Sequence, residues 1–144
     1  MVYVRDVLFL FVTSLIAGLI NSKYAFSVNF SIKSFLIAIV VILSWIIYTL
    51  IEARNKRIEM LWSSLIHWGI GFILWMIFLL SRIEMIADYL VLIYRLPLEG
   101  IDKLIIGFSG ITLDVISVFL VPLLIIGITY IVSHYIWRET ESDQ

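Results

Sequence analysis

Met60-Leu-Trp-Ser-Ser-Leu-Ile-His-Trp-Gly-Ile-Gly-Phe-Ile-Leu-Trp-Met-Ile-Phe-Leu-Leu-Ser81 holds no charged residue. Hydrocarbon ~30 Å thick is crossed by ~20 mostly apolar residues in a helix rising ~1.5 Å per residue. This stretch is long enough, and so is Val115 to Trp137. Two shorter uncharged runs, Val7 to Ser22 and Ser34 to Ile51, lie near the limit. Working outward from Met60–Ser81, the chain reads as an all-α integral membrane four-helix bundle. Its spans are expected at about residues 3–21, 34–51, 60–81 and 112–137 of a single membrane domain.

Composition agrees. The chain is 62% hydrophobic and only 15% charged, with a mean hydropathy of +1.10. A soluble domain is closer to ~25% charged. The formal net charge of −1 gives a nucleic-acid partner no electrostatic support. There is no cysteine, which removes disulfides, thiolate metal sites and cysteine nucleophiles. Two histidines alone cannot complete a zinc site, so no metal and no cofactor is expected. The first run is no signal peptide by pattern: Arg5 and Asp6 nearly cancel, and Ile20-Asn21-Ser22-Lys23 is a poor cleavage site.

Between the spans the charges cluster. Glu52-Ala-Arg-Asn-Lys-Arg-Ile-Glu59 is the sharpest break and packs Arg54, Lys56 and Arg57 into four positions. Residues 83–108 are harder to read. Ile83 to Tyr94 is apolar but carries Glu84 and Asp88 on one face, and Ile101 to Phe108 repeats the pattern around Asp102 and Lys103. Pro97 and Gly100 mark a turn between them. The expectation is two short amphipathic helices lying in the interface; the alternative is a third helix running on to Arg95. In the last span Pro122 predicts a kink. Residues 138–144 form a short acidic cytoplasmic tail.

Lysine and arginine are retained on the cytoplasmic side. Arg5, Arg54, Lys56, Arg57 and Arg138 face one side; Lys23, Lys33, Arg82, Arg95 and Lys103 face the other. The count ties, and the density of the second loop places both termini in the cytoplasm. The expected location is the bacterial cytoplasmic membrane.

Several polar residues stand out. Ser14 and Gly18, four apart, suit close helix–helix packing. His67 lies roughly 10 Å inside its span at ~1.5 Å per residue, and His134 falls at similar depth in the last one. Tyr48, Ser63, Ser64 and Ser133 belong to the same half, as do Thr49, Thr129 and Tyr130. Together they form a candidate polar path or packing cluster on the cytoplasmic side; the other half is nearly all aliphatic. Glu84, Asp88 and Asp114 form a candidate outer acidic site, against which stand a solvated helix face for the first two and a first-turn dipole partner for Asp114.

No catalytic residue is expected. There is no His-Glu-x-x-His pair, no phosphate loop and no Gly-x-Ser-x-Gly elbow. The expected function is non-enzymatic: a homo-oligomeric membrane assembly or a membrane subunit of a complex. Its partners would be the lipid bilayer and itself or another protein. Immunity proteins, phage-exclusion proteins and transporter accessory subunits share this layout, an analogy of architecture alone. The alternative is a small channel or transporter subunit with its path near His67 and His134.

Overall fold

A computed structural model describes the backbone of residues 2–25, 31–109 and 115–142, and the side chains of 3–24, 31–104 and 119–137. Every element in it is helical: α1 (Val2–Ala25), α2 (Ile32–Arg54), α3 (Glu59–Ser81), α4 (Glu84–Leu90), α5 (Glu99–Ser109) and α6 (Val115–Ser142). A π-helical turn (Val91–Arg95) and a 3-10 turn (Leu96–Leu98) join α4 to α5. Four of the helices are long and apolar enough to cross a membrane: Tyr3–Tyr24, Ile32–Arg54, Glu59–Ser81 and Phe119–Trp137.

The ends have local causes. Ser31 caps α2, its hydroxyl accepting from the Ser34 N–H at 3.4 Å. α2 closes in a Schellman turn: the Arg57 N–H donates to the Glu52 carbonyl and the Lys56 N–H to that of Ala53, both at 3.0 Å. Lys56 takes the left-handed position at φ 56°. α3 stops at Arg82, also left-handed at φ 51°, whose N–H donates to the Phe78 carbonyl at 2.7 Å. The third helix therefore ends at Ser81 and does not run on to Arg95. α6 continues through Pro122, which is fully buried.

The long helices stand in a ring, α1 beside α2 and α3, and α6 beside the same two. α1 and α3 start, and α2 and α6 finish, at what we term the Arg5 end; the other is the Ser81 end. The core shared by the four long helices includes Trp45, Trp68, Leu10, Met60 and Ile126, all fully buried. In lipid such packing acts through close contact, because the tails outside are as apolar as the core. Only 28% of each span's most apolar stretch is buried, so most of the span surface faces outward.

The connection after α3 is helical, as its pattern predicts, and its second half is buried against the bundle. α4 is largely exposed, whereas residues 96–100 are all buried, as are Leu90, Ile93, Tyr94 and Asp102. The chain turns back from the Ser81 end, packs along α1 and α2 and seats Tyr94 between α3 and α6. Backbone proximity makes this fit. A Cβ on Gly18 would overlap the Leu92 carbonyl, and one on Gly100 would overlap the backbone at Ser34 and Phe35. Hydropathy along the segment resembles a surface helix because it counts charges without showing that Glu99 and Asp102 are paired.

Candidate functional site

The bundle is polar inside. Asp6, Ser14 and Asn21 on α1 are buried, as are Ser34, Thr49 and Glu52 on α2, and Ser63, Ser64 and His67 on α3. Large aliphatics such as Val40, Ile73 and Ile131 point out. On α2 the buried positions are 34, 38, 41, 45, 49, 52 and 53, a single helical stripe.

At the Arg5 end, Asp6 has no exposed surface and Glu52 is 3% exposed. Antiparallel packing of α1 and α2 brings Tyr48 and Glu52, one turn apart, against the first turns of α1. The Asp6 Oδ1 atom accepts from the Tyr48 hydroxyl at 2.7 Å and from Arg5 Nε and Nη2 at 3.0 and 2.8 Å. Arg5 Nη2 also lies 2.8 Å from Glu52 Oε1. The Schellman turn swings Arg57 back, so that its Nη1 is 3.5 Å from Glu52 Oε2. Both acids are thus held by cations whose own side chains are roughly half exposed. That arrangement gives each buried carboxylate a cationic partner that still reaches water.

The centre is aromatic. Trp45 Nε1 donates to Thr13 Oγ1 at 3.1 Å. The Trp45 and Trp68 rings meet edge-on at 5.4 Å, and Trp68 meets Tyr94 at 5.3 Å. The His67 ring lies 4.8 Å from Trp68 and 5.2 Å from Tyr94. The Tyr94 hydroxyl donates to the His67 carbonyl at 3.0 Å. Gly71 makes the room, since a Cβ there would meet the Tyr94 and Phe119 rings.

At the Ser81 end, Asn21 Nδ2 donates to the Leu96 carbonyl at 2.7 Å. Arg95 Nε lies 3.5 Å from Glu99 Oε2, Arg95 Nη2 3.8 Å from Asp102 Oδ2, and Lys103 Nζ 3.6 Å from Glu99 Oε1.

The residues expected from sequence fall differently. Tyr48 joins Asp6. Ser63 donates to the Tyr3 carbonyl at 3.4 Å and Ser64 to the Leu61 carbonyl at 2.8 Å. His67 and Ser133 are buried, but His134 is exposed on α6, its ring stacked 6.0 Å from that of Tyr130. The two histidines share neither a level nor a face. Phe119 packs against Gly71, one turn beyond His67. His134 lies about four turns further along α6 toward the Arg5 end and is exposed, while His67 faces the core. Ser14 faces inward, and Gly18 receives the Leu92 backbone rather than a neighbouring long helix. Glu84 and Asp88 are exposed. Asp114 and the first residues of the expected last span lie outside the described residues. Among the described residues no group of three histidine or acidic side chains is placed to hold a metal.

Sequence reasoning missed Asp6, Glu52, Asn21, Glu99 and Asp102. The aliphatic half of the spans also hides Ser14, Asn21 and Ser34, all buried. The missed signal was spacing: Asp6, Leu10, Ser14, Gly18 and Asn21 follow one face of α1. Fold and site together define a small helical membrane protein with a polar core, in which some buried groups are paired and others, such as His67 Nε2 and Trp68 Nε1, have no hydrogen-bond partner. No protein-family model, curated protein or solved structure matches this chain.

Proposed function

We propose that this is a non-enzymatic integral membrane protein that works by associating within the bilayer, with itself or with another membrane protein. The carrying observation is the contrast between an interior filled by the chain's own side chains and an open apolar outer face. Inside, the acids at both ends are paired and rings fill the middle. Outside, apolar grooves flank α2. One, of about 380 Å³, runs between α1 and α2 along Thr13, Ala17, Val40 and Ser44. Its hydroxyls are turned away: Thr13 donates to the Phe9 carbonyl and Ser44 to that of Val41. The wall offered is apolar and built partly of small side chains, the texture that helix packing in lipid uses. A second groove, between α2 and α6, is lined by Leu50, Ile128, Val132 and Trp137.

In this reading the Arg54–Arg57 turn and both termini face the cytoplasm, in a bacterial inner membrane. Immunity, phage-exclusion and accessory roles all fit such a protein, and neighbouring genes would distinguish them. The test is purification in mild detergent with mass measurement. An oligomer or a stoichiometric co-purifying protein supports association; a bare monomer rejects it.

One observation favours a second reading, a proton- or ion-handling subunit. Asp6 Oδ2 and His67 Nε2 are buried without a hydrogen-bond partner, and ionisable groups inside spans usually serve a pathway. Flux in proteoliposomes tests it. His67→Ala would abolish flux and His134→Ala would spare it; no flux with the unaltered protein removes this reading.

A further inference from the structure

We propose that His67 and Trp68 form an internal water-binding site that Tyr94 closes from the Ser81 end. His67 is 2% exposed and Trp68 1%. His67 Nε2 and Trp68 Nε1 are both buried without a hydrogen-bond partner. A buried polar group in that state costs ~1–3 kcal/mol, and ordered water is the usual relief. The two belong together. Their rings are 4.8 Å apart, and both pack against one side chain, Tyr94, at 5.2 and 5.3 Å. An indole N–H can only donate and a ring nitrogen of neutral histidine can accept, so a short chain of waters satisfies both. Trp45 provides the contrast: its indole already donates to Thr13 and needs none.

Tyr94 is suited to be the closure because the segment that carries it is built unlike the spans. It sits in the π-helical turn, followed at once by a 3-10 turn containing Pro97. Such breaks in the α ladder recur at functional sites. Besides the apolar burial of Ile93 and Leu98, three local ties hold the segment: the Tyr94 hydroxyl on the His67 carbonyl, the Asn21 amide on the Leu96 carbonyl, and backbone contact at Gly18. Withdrawing Tyr94 uncovers both unpartnered nitrogens together. A monomer would carry this site as well as an oligomer, so it stands apart from association; in the ion-handling reading it is the gate.

The test uses hydrogen–deuterium exchange of the indole N–H groups by NMR in micelles, on the full chain. In the unaltered protein Trp68 exchanges slowly. In Tyr94→Phe, which keeps the ring and loses one hydrogen bond, Trp68 exchange rises about fivefold to tenfold, while Trp45 is unchanged. A second arm uses the absence of cysteine. His67→Cys becomes the only thiol and resists a membrane-impermeant methanethiosulfonate. It reacts at least about tenfold faster once Tyr94→Ala is added. Leu80→Cys, exposed at the Ser81 end, reports that the probe reaches that side. Trp68 exchange unmoved by Tyr94→Phe in a monodisperse protein overturns the proposal. So does His67→Cys that reacts as fast with Tyr94 present as without it.

Discussion

The two ends of this bundle are both rich in charge, yet they are held by different means. At the Arg5 end the partners come from distant parts of the chain: Tyr48 reaches Asp6 across 42 residues, and Arg5 spans to Glu52. At the Ser81 end Arg95 and Lys103 each pair with a residue four positions away, Glu99. Long-range ties there are made instead by backbone contact at Gly18 and Gly100 and by Asn21. Long-range ion pairs tie helices together at the Arg5 end, and close approach of main chains seats the connecting segment at the other. Physically, the Arg5 end has cations that can reach water while gripping buried acids. The Ser81 end uses charge to hold the shape of one segment and glycine to seat it.

Substitution can break that contrast. The largest effect is expected from Arg5→Met, which leaves Asp6 and Glu52 buried with one cation fewer; the loss should be about 3 kcal/mol, read by thermal unfolding in detergent. A loss under about 1 kcal/mol would place Arg5 among ordinary surface pairs. Gly18→Ala comes next. Its methyl group meets the Leu92 carbonyl, and overpacking of this kind costs ~1–3 kcal/mol, against which better helix propensity returns ~1 kcal/mol. Net destabilisation, with faster proteolysis between α4 and α5, is the expected result. Tyr48→Phe removes one donor from the Asp6 carboxylate and should cost about 1.5 kcal/mol. Smallest is Arg95→Met, whose guanidinium is 55% exposed and whose partner Glu99 keeps Lys103; less than about 1 kcal/mol is expected. If Arg95→Met proved as costly as Arg5→Met, the two ends would be held alike.

Much of the architecture was legible in the chain, and the site much less so. Long uncharged runs announce spans because lipid demands them, and four helices long and apolar enough to cross a membrane are present. Tyr48, Ser63, Ser64 and His67 were legible as polar residues within apolar runs. Asp6 was not, because it lies beside Arg5 near the edge of a run and reads there as half of a neutral pair. His134 read as a partner for His67 because counting residues along the spans put both at similar depth. Counting along one helix fixes neither how far it is shifted past its neighbour nor which face meets that neighbour; packing decides both.

What this sequence determines by itself is the solvent of each segment: apolar length sets where the chain crosses oil, and clustered charge sets where it emerges. What only the tertiary structure decides is facing, and with it the burial of Asp6, Glu52 and the Tyr94 segment. A span in lipid is apolar nearly all round, so hydropathy cannot tell its inner face from its outer one. Only the packing of one helix on another turns a few small and polar side chains into a core.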